Sequence, residues 1–596
     1  MRGLARFASG RAKAQADFRL YFTNLPTHVA MSTLTRRHFL ESAALVGAGS
    51  TLFPDILGAT APRGDEITLE HIRHAEVLAG LSFTDEEREL MLASLERARD
   101  GYVALREVPL PNHVVPSLVF DPTIGGERAP ETAAPGPITW RPAPPIPRPT
   151  TDNDLAFASV AELSALVKAR IVRSVELTRL SMERLRRLDS TLHHVVTITE
   201  ERAMRQAHVA DDELDAGVWR GPLHGIPWGT KDLVSVAGYP TTWGAAPYRD
   251  QVIAEDADVV QRLDEAGAVL VAKLSLGALA MGDVWFGGKT RNPWNPDEGS
   301  SGSSAGPGAA VASGCVPFAI GSETLGSIVS PSTRNGVTGF RPTFGRVSRA
   351  GAMTLAWSMD KLGPMCRSAD DCALVFASIH GASPADPTSR STPFAWPAER
   401  PVTDLRVGVV REEDYRNRDA DEAMLAVLER MGVRLAEVAL PDMDTGPMLQ
   451  MLRAEASAAF DDLVRSGRVT ELVRQDAGAW PTTFRAARFI PAVEYINGAR
   501  ARTLLMAAMR NVFEEVDVIV VPTFGAGQLA ITNLTGHPSV TLPNAFRPVP
   551  DAARPAYRNP DSITVIGDLY ADERVLAVAA AMQAGTDFHR RRPPVQ

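Results

Sequence analysis

Residues 299 to 331 read GSSGSSAGPGAAVASGCVPFAIGSETLGSIVSP, and few folds can house such a run. Glycine tolerates φ > 0 and lets a backbone approach a ligand closely. Turns built this way aim several N–H groups at one point, which suits a developing negative charge. A small-residue segment, Ala309 to Ser313, separates the two Gly/Ser loops. With Lys231 in GIPWGTKDL far upstream, the run reads as a serine nucleophile whose base is lysine rather than histidine.

The rest of the composition narrows the alternatives. A net charge of -9 carries no basic footprint for nucleic acid. No apolar run reaches the roughly 18 to 20 residues that span a bilayer. The three cysteines, Cys315, Cys366 and Cys372, are too few for a disulfide framework and read as small buried hydrophobes. No metal-binding cluster or nucleotide loop stands out, so no cofactor is implied.

Four segments are expected. Residues 1–61 hold an N-terminal extension and a twin-arginine export signal: Arg36-Arg37 precedes the apolar stretch Ala43 to Phe53, with Ala59-Thr60-Ala61 as the cleavage site. Met31 is a plausible start for such a signal, and the location it implies is periplasmic. Residues 62–108 predict a helical hairpin, with Ile72, Ala75, Ala79 and Leu92, Leu95 as apolar faces and Thr84-x-x-Glu87 as a capping box. Residues 109–152 form a linker, with 12 of the chain's 44 prolines between Pro109 and Pro149. From 153 to 596, α and β signals alternate. A second capping box, Ser159-x-x-Glu162, opens the first helix. Strands are predicted at Val269 to Val271, Leu405 to Val410, Val433 to Val438 and Val516 to Val521, and helices over Asp258 to Ala266 and Asp421 to Met431. The fold class is α/β: a mixed central sheet covered by helices.

GPLHGIPWGTKDL (221–233), GSSGSSAGPGAAVASG, GSETLGSIVSP and NGVTGFRPT together resemble the amidase signature family over roughly residues 153 to 590. The spacing agrees as well as the letters. With Ser327 as the family's nucleophile, its second serine falls 24 positions upstream on Ser303, and its lysine falls on Lys231. The resemblance implies an acyl-enzyme on Ser327 and a cis peptide bond before Ser303. It also implies a proton bridge through Ser303 to Lys231, and an oxyanion hole from the N–H groups of Thr324, Leu325, Gly326 and Ser327. Glu323 would bond loop amides. Ser358 to Met365 and Asn533 to Pro538 resemble two further loops of the family. Val329, Leu325 and Ser301 depart from its commonest letters without removing a catalytic group.

Physical chemistry sets a condition on this reading. Lysine acts as a base only when neutral, so its pKa must fall by several units from about 10.4. Burial does this, and Asp232, next in sequence, must then point elsewhere. His224 and His537 suggest a Ser-His-Asp triad, but no G-x-S-x-G elbow accompanies them, so both are read as structural or pocket-lining. The pocket is expected from Met281 to Phe286, Ala350 to Trp357 and Phe489 to Ile496. The expected activity is hydrolysis of linear amides to acid and ammonia or amine. The expected partner is a small-molecule amide, with a homodimer allowed. An amidotransferase A-subunit-like protein and a non-catalytic binder on the same scaffold are the alternatives.

Overall fold

The computed structural model describes residues 66–106, 111–114, 118–125, 146–412 and 417–596. The export-signal residues and most of the proline-rich linker lie outside these. The chain separates into two compact units, a small one containing most residues up to 109 and a large one holding residues 110–596.

In the small unit the two predicted helices span Leu69–Ala79 and Asp85–Arg106. Thr84 and Glu87 form the expected capping pair, the Thr84 N–H donating to Glu87 Oε2 at 2.7 Å and the Glu87 N–H to Thr84 Oγ1 at 3.3 Å. The apolar faces differ from expectation. Ile72 is buried, but Ala75 and Leu95 are exposed. The second buried position of the first helix is Glu76, whose carboxylate takes two bonds from Arg88 at 2.7 Å. A paired carboxylate replaces an alanine contact, which periodicity of apolar residues cannot reveal.

Among its described residues the large unit has fifteen strands: β1 (Val195–Ile198), β2 (Pro227–Lys231), β3 (Val269–Leu274), β4 (Val284–Trp285), β5 (Gly288–Lys289), β6 (Arg291–Asn292), β7 (Asn295–Gly299), β8 (Phe318–Glu323), β9 (Thr338–Arg341), β10 (Lys361–Cys366), β11 (Val407–Val409), β12 (Leu435–Glu437), β13 (Val518–Pro522), β14 (Ser539–Pro548) and β15 (Arg558–Gly567). Eleven form one mixed sheet in the order β1-β3-β2-β8-β10-β9-β14-β15-β13-β11-β12; β4–β5 and β6–β7 are separate ribbons. β3 runs parallel to β2 and β2 parallel to β8, while β10 is antiparallel to β8. β13, β11 and β12 are again parallel.

The alternation of β3 and β8 shows why both faces are covered. Leu270, Phe318 and Ile320 enter one core cluster, and Val269, Val271 and Ala319 enter another. Such strands read as continuous apolar runs because neither face meets water. The predicted helices and strands fall where expected, at Val160–Lys168, Asp258–Glu265, Val407–Val409, Arg418–Arg430, Leu435–Glu437 and Val518–Pro522. The three cysteines are buried and free.

The Gly/Ser run makes sense in this frame. Residues Ala305–Ala312 form a helix that is buried over its whole length. Only glycine, alanine, proline and one valine occupy it. A Cβ added at Gly306 would lie 2.5 Å from the Ser275 backbone nitrogen, so the helix touches its neighbours through backbone. The loops on either side are thereby pressed against the sheet.

Candidate active site

β2 and β8 are parallel neighbours in the sheet interior, and both deliver polar residues at their carboxyl ends. That is where open α/β sheets place their sites. β2 is buried throughout although it ends in Thr230 and Lys231. A fully buried lysine needs a reason. Here the reason is a cage of oxygens: Lys231 Nζ lies 2.7 Å from Ser303 Oγ, 3.1 Å from Ser304 Oγ, 2.9 Å from Ser322 Oγ and 3.3 Å from the Ser322 carbonyl. No carboxylate pairs with Lys231 among the described residues. Burial drives its amine well below the ordinary lysine range, against the pull of Asp360 and Glu323.

One hydroxyl of this cage is fixed by its neighbours. Ser304 Oγ accepts the Ser322 N–H at 3.2 Å and donates to the Ser322 carbonyl at 3.1 Å. Its own hydrogen is therefore spoken for, and toward Lys231 it accepts. A neutral amine has two N–H groups and one lone pair. The shortest partner, the Ser303 hydroxyl, is free to donate to that lone pair.

Asp232 points away, as the electrostatic condition required. Its Oδ1 lies 2.9 Å from Lys273 Nζ in a fully buried ion pair. Its Oδ2 accepts the Thr242 N–H at 3.0 Å. Lys273 thus shields Lys231 from the neighbouring negative charge.

Ser303 follows a cis peptide bond from Gly302. Ser301 has φ 59°, the left-handed region that favours glycine. Ser327 is 8% exposed. Its carbonyl accepts the Ser304 N–H at 3.1 Å, which ties the Thr324–Ser327 turn to the Ser303 loop. No hydrogen bond joins the Ser303 and Ser327 hydroxyls among the described residues. The expected bridge is therefore made on its Lys231 side, while on the Ser327 side the link runs through backbone. Catalytic hydrogen bonds often tighten only when substrate is bound.

The turn from Thr324 to Ser327 has Gly326 at φ 84°. Its N–H groups meet no acceptor among the described residues, whereas the next two, of Ile328 and Val329, donate to Glu323 Oε2 at 2.8 and 2.9 Å. Glu323 Oε1 takes bonds from Arg341 at 2.6 Å and Asn533 at 2.8 Å. Burial opposes the Glu323 anion, but Arg341, the Val329 N–H and Asn533 outweigh it and hold the carboxyl at about 2. Thr324 Oγ1 donates to Asp360 Oδ1 at 2.5 Å, fixing the other end of the turn. The result is a row of backbone donors held open by buried carboxylates behind it.

Both histidines are buried and bonded to groups of the surrounding fold. His224 Nε2 meets the Ala210 carbonyl at 2.9 Å. His537 Nδ1 lies 2.7 Å from Thr535 Oγ1, and burial with Arg341 nearby lowers its ring to about 3.

A small cavity beside the turn, about 20 Å³, is lined by Leu233, Ala280, Ser322, Thr324 and residues of the 352–355 and 360–362 segments. Of the Ala350 to Trp357 loop, residues 352–355 line this cavity, which neither Ser303 nor Ser327 lines. Phe489 to Ile496 does not line it; Phe489, Val493 and Ile496 are 66%, 63% and 55% exposed. Apolar letters suggested burial there, but helix Ala492–Glu515 turns Val493 and Ile496 outward, and Phe489 lies exposed ahead of it. Met281 to Phe286 contribute only their neighbour Ala280. Sequence reasoning had not singled out Ser322, Asp360 or Lys361 as parts of the site. For Ser322 the available signal was its place in GSETLGS, one residue before the acidic position.

Comparison with known proteins agrees with this geometry. The profile of the Amidase family matches residues 176–576. The chain is 32% identical to the A subunit of glutamyl-tRNA(Gln) amidotransferase from Methylococcus capsulatus, over 73% of this chain and 98% of that one. It is 33% identical to the same protein of Halorhodospira halophila, over 73% and 98%. Among solved structures it is similar to native peptide amidase from Stenotrophomonas maltophilia, with a TM-score of 0.63 and 27% identity over 74% and 98% of the two chains. This chain belongs to the amidase signature family.

Proposed function

We propose that this protein hydrolyses carboxylic amides through an acyl-enzyme on Ser327. The observation that carries the reading is the buried Lys231 amine, 2.7 Å from Ser303 Oγ and without a carboxylate partner among the described residues. Ser327 Oγ attacks the carbonyl carbon while its proton passes to Ser303, whose own proton passes to Lys231. The N–H groups of Thr324, Leu325, Gly326 and Ser327 receive the negative charge on the tetrahedral oxygen. Lys231, now an ammonium, returns a proton through Ser303 to the departing nitrogen, and ammonia or amine leaves. Water then attacks the acyl-enzyme by the same relay. A lysine base suits this task because its conjugate acid must protonate an amine leaving group.

Treatment with a fluorophosphonate tests the assignment. Labelling of the protein and its loss in S327A supports it; an S327A variant that labels and turns over like the parent refutes it.

A second reading is an amidotransferase A-subunit-like protein, favoured by the relatives of that name at 32 and 33% identity. It requires a partner to receive the nitrogen. Release of ammonia from simple amides by the isolated chain separates the two. The paired Arg36-Arg37 and the apolar stretch after it support export to the periplasm, where charged tRNA is absent. R36K/R37K should trap the precursor in the cytoplasmic fraction.

A further inference from the structure

The proposed relay makes Lys231 an ammonium in a buried cage of neutral oxygens. A charge formed away from water needs a counter-charge. The carboxylates around the cage can be sorted by what already neutralises them. Asp232 is paired with Lys273 at 2.9 Å. Glu323 is paired with Arg341 at 2.6 Å. Asp360, just before β10, has no cation paired with its carboxylate among the described residues. Its charged neighbours are engaged elsewhere. Arg349 bonds Asp386 Oδ2 at 3.2 Å and Thr388 Oγ1 at 2.7 Å, and reaches only the backbone carbonyl of Asp360, at 3.4 Å. Lys361 Nζ bonds the Met359 carbonyl at 2.5 Å, and burial pushes its amine well below the ordinary lysine range.

Three donors hold the Asp360 carboxylate in place. Oδ1 accepts Thr324 Oγ1 at 2.5 Å, and Oδ2 accepts the N–H groups of Leu355 and Ala356 at 2.8 and 3.0 Å. Burial raises its carboxyl above the ordinary range, while these donors and Arg349 favour the anion. One oxygen is thus tied to the first residue of the proposed oxyanion turn, and the other to the loop beside it. Asp360 and Ser322, a member of the Lys231 cage, line one space of about 20 Å³, the size of a single water. Of the charges that favour the Lys231 ammonium, Asp360 acts more strongly than Glu323.

We propose that Asp360 is a positioning residue with two tasks: it seats the Thr324 end of the turn, and it supplies the unpaired negative charge against which Lys231 takes up its proton. It makes no bond to Nζ among the described residues. It therefore favours the ammonium without fixing it, and the amine stays available as a base. A carboxylate in direct contact would keep the proton. The proposal rests on Lys231 and Ser327 acting as described above, and its test keeps the two apart.

The test uses the full chain with D360N, T324V and T324S, and follows kcat and KM for a simple primary amide across pH. Asparagine keeps the shape: its carbonyl can take the two backbone donors while its N–H meets Thr324 Oγ1, so D360N removes the charge and little else. The acidic limb of kcat/KM should move about one unit to lower pH, a tenfold change in the Lys231 proton equilibrium, and the plateau should fall about tenfold as the base weakens. T324V keeps the carboxylate and frees the turn. Its kcat should fall about tenfold with KM unchanged, and T324S should restore it. A limb that stays in place in D360N, whatever the Tm, overturns the proposal. So does a T324V that turns over like the parent, and this arm decides the matter if D360N does not fold. Persistent fluorophosphonate labelling of S327A overturns the nucleophile assignment instead, and is read without reference to either variant.

Discussion

A primary amine sealed from solvent is pulled two ways: burial disfavours its charge, while the proposed relay needs it to gain and lose a proton. Lys231 resolves this with hydroxyl and carbonyl oxygens in place of a carboxylate. Because its folded-state pKa lies well below the unfolded value, the unfolded chain binds more protons across that interval. Stability from this group is therefore complete above about pH 10.4 and is lost as pH falls toward the folded pKa. K231M should consequently raise Tm at pH 7 and raise it less at pH 10, while cutting kcat by three orders of magnitude or more. Calorimetry at the two pH values, alongside turnover, checks this. A destabilised K231M at pH 7 would remove the claim that the lysine is held neutral. In the parent, kcat/KM should climb with pH as Lys231 loses its proton and then level off. At this scale much was legible in advance. The family resemblance pointed to Lys231, Ser303 and Ser327, and electrostatics required Asp232 to turn aside, as its ion pair with Lys273 does. The cage itself was not legible, since Ser322 approaches Nζ only because two parallel strands end side by side, and Ser304 reaches it from the start of helix Ala305–Ala312.

The turn that carries the proposed nucleophile is an element stabilised from behind. Glu323 bonds the N–H groups of Ile328 and Val329, and Arg341 and Asn533 hold Glu323. Its pKa falls from 4.5 to about 2 on folding. A depressed carboxyl contributes stability that is present above its unfolded pKa and lost as pH falls toward 2; here that is about 3 kcal/mol. E323Q should flatten acid unfolding between pH 4.5 and 2. At pH 7 it should cost about 3 to 5 kcal/mol, because Arg341 is left buried without its counter-ion. Urea titration across that range measures both effects, and an unchanged acid limb would contradict the assignment. The Ser303 loop makes an opposite prediction. Ser301 at φ 59° sits where an L-residue is penalised by about 1 to 2 kcal/mol. Glycine relieves this but gives back about 0.5 to 1 kcal/mol in chain entropy. S301G should therefore stabilise by about 0.5 kcal/mol, seen as a small rise in denaturation midpoint. Sequence showed the departure at Ser301 but not its φ, because the strain comes from a neighbouring loop: the Ser301 N–H is held by Asp283 at 3.0 Å.

Across the whole molecule, the site draws on chain segments that are remote in sequence and adjacent in the sheet. Lys231 closes β2, Glu323 closes β8, Arg341 ends β9, and Asn533 arrives from a helix some 200 residues beyond Glu323. Periodicity found the strands one by one. It could not order them, because the pairing of β2 with β8 and of β9 with β14 joins distant parts of the chain. The same limit hid Asn112, which lies in a segment whose prolines spoke only of extension and bonds Thr354, 242 positions away. Lys231, Ser303, Ser327 and the oxyanion turn all lie within the large unit, residues 110–596. The proposed relay thus needs no donor from another chain. The isolated protein, with no added tRNA or second protein, should release ammonia and acid in equal amounts from a simple primary amide. Its rate per molecule should be independent of protein concentration. Coupled ammonia detection over a hundredfold dilution series checks this. Activity that emerges only when a partner protein and a nitrogen acceptor are supplied would move the protein to the amidotransferase reading and leave the geometry of Lys231 and Ser303 in place.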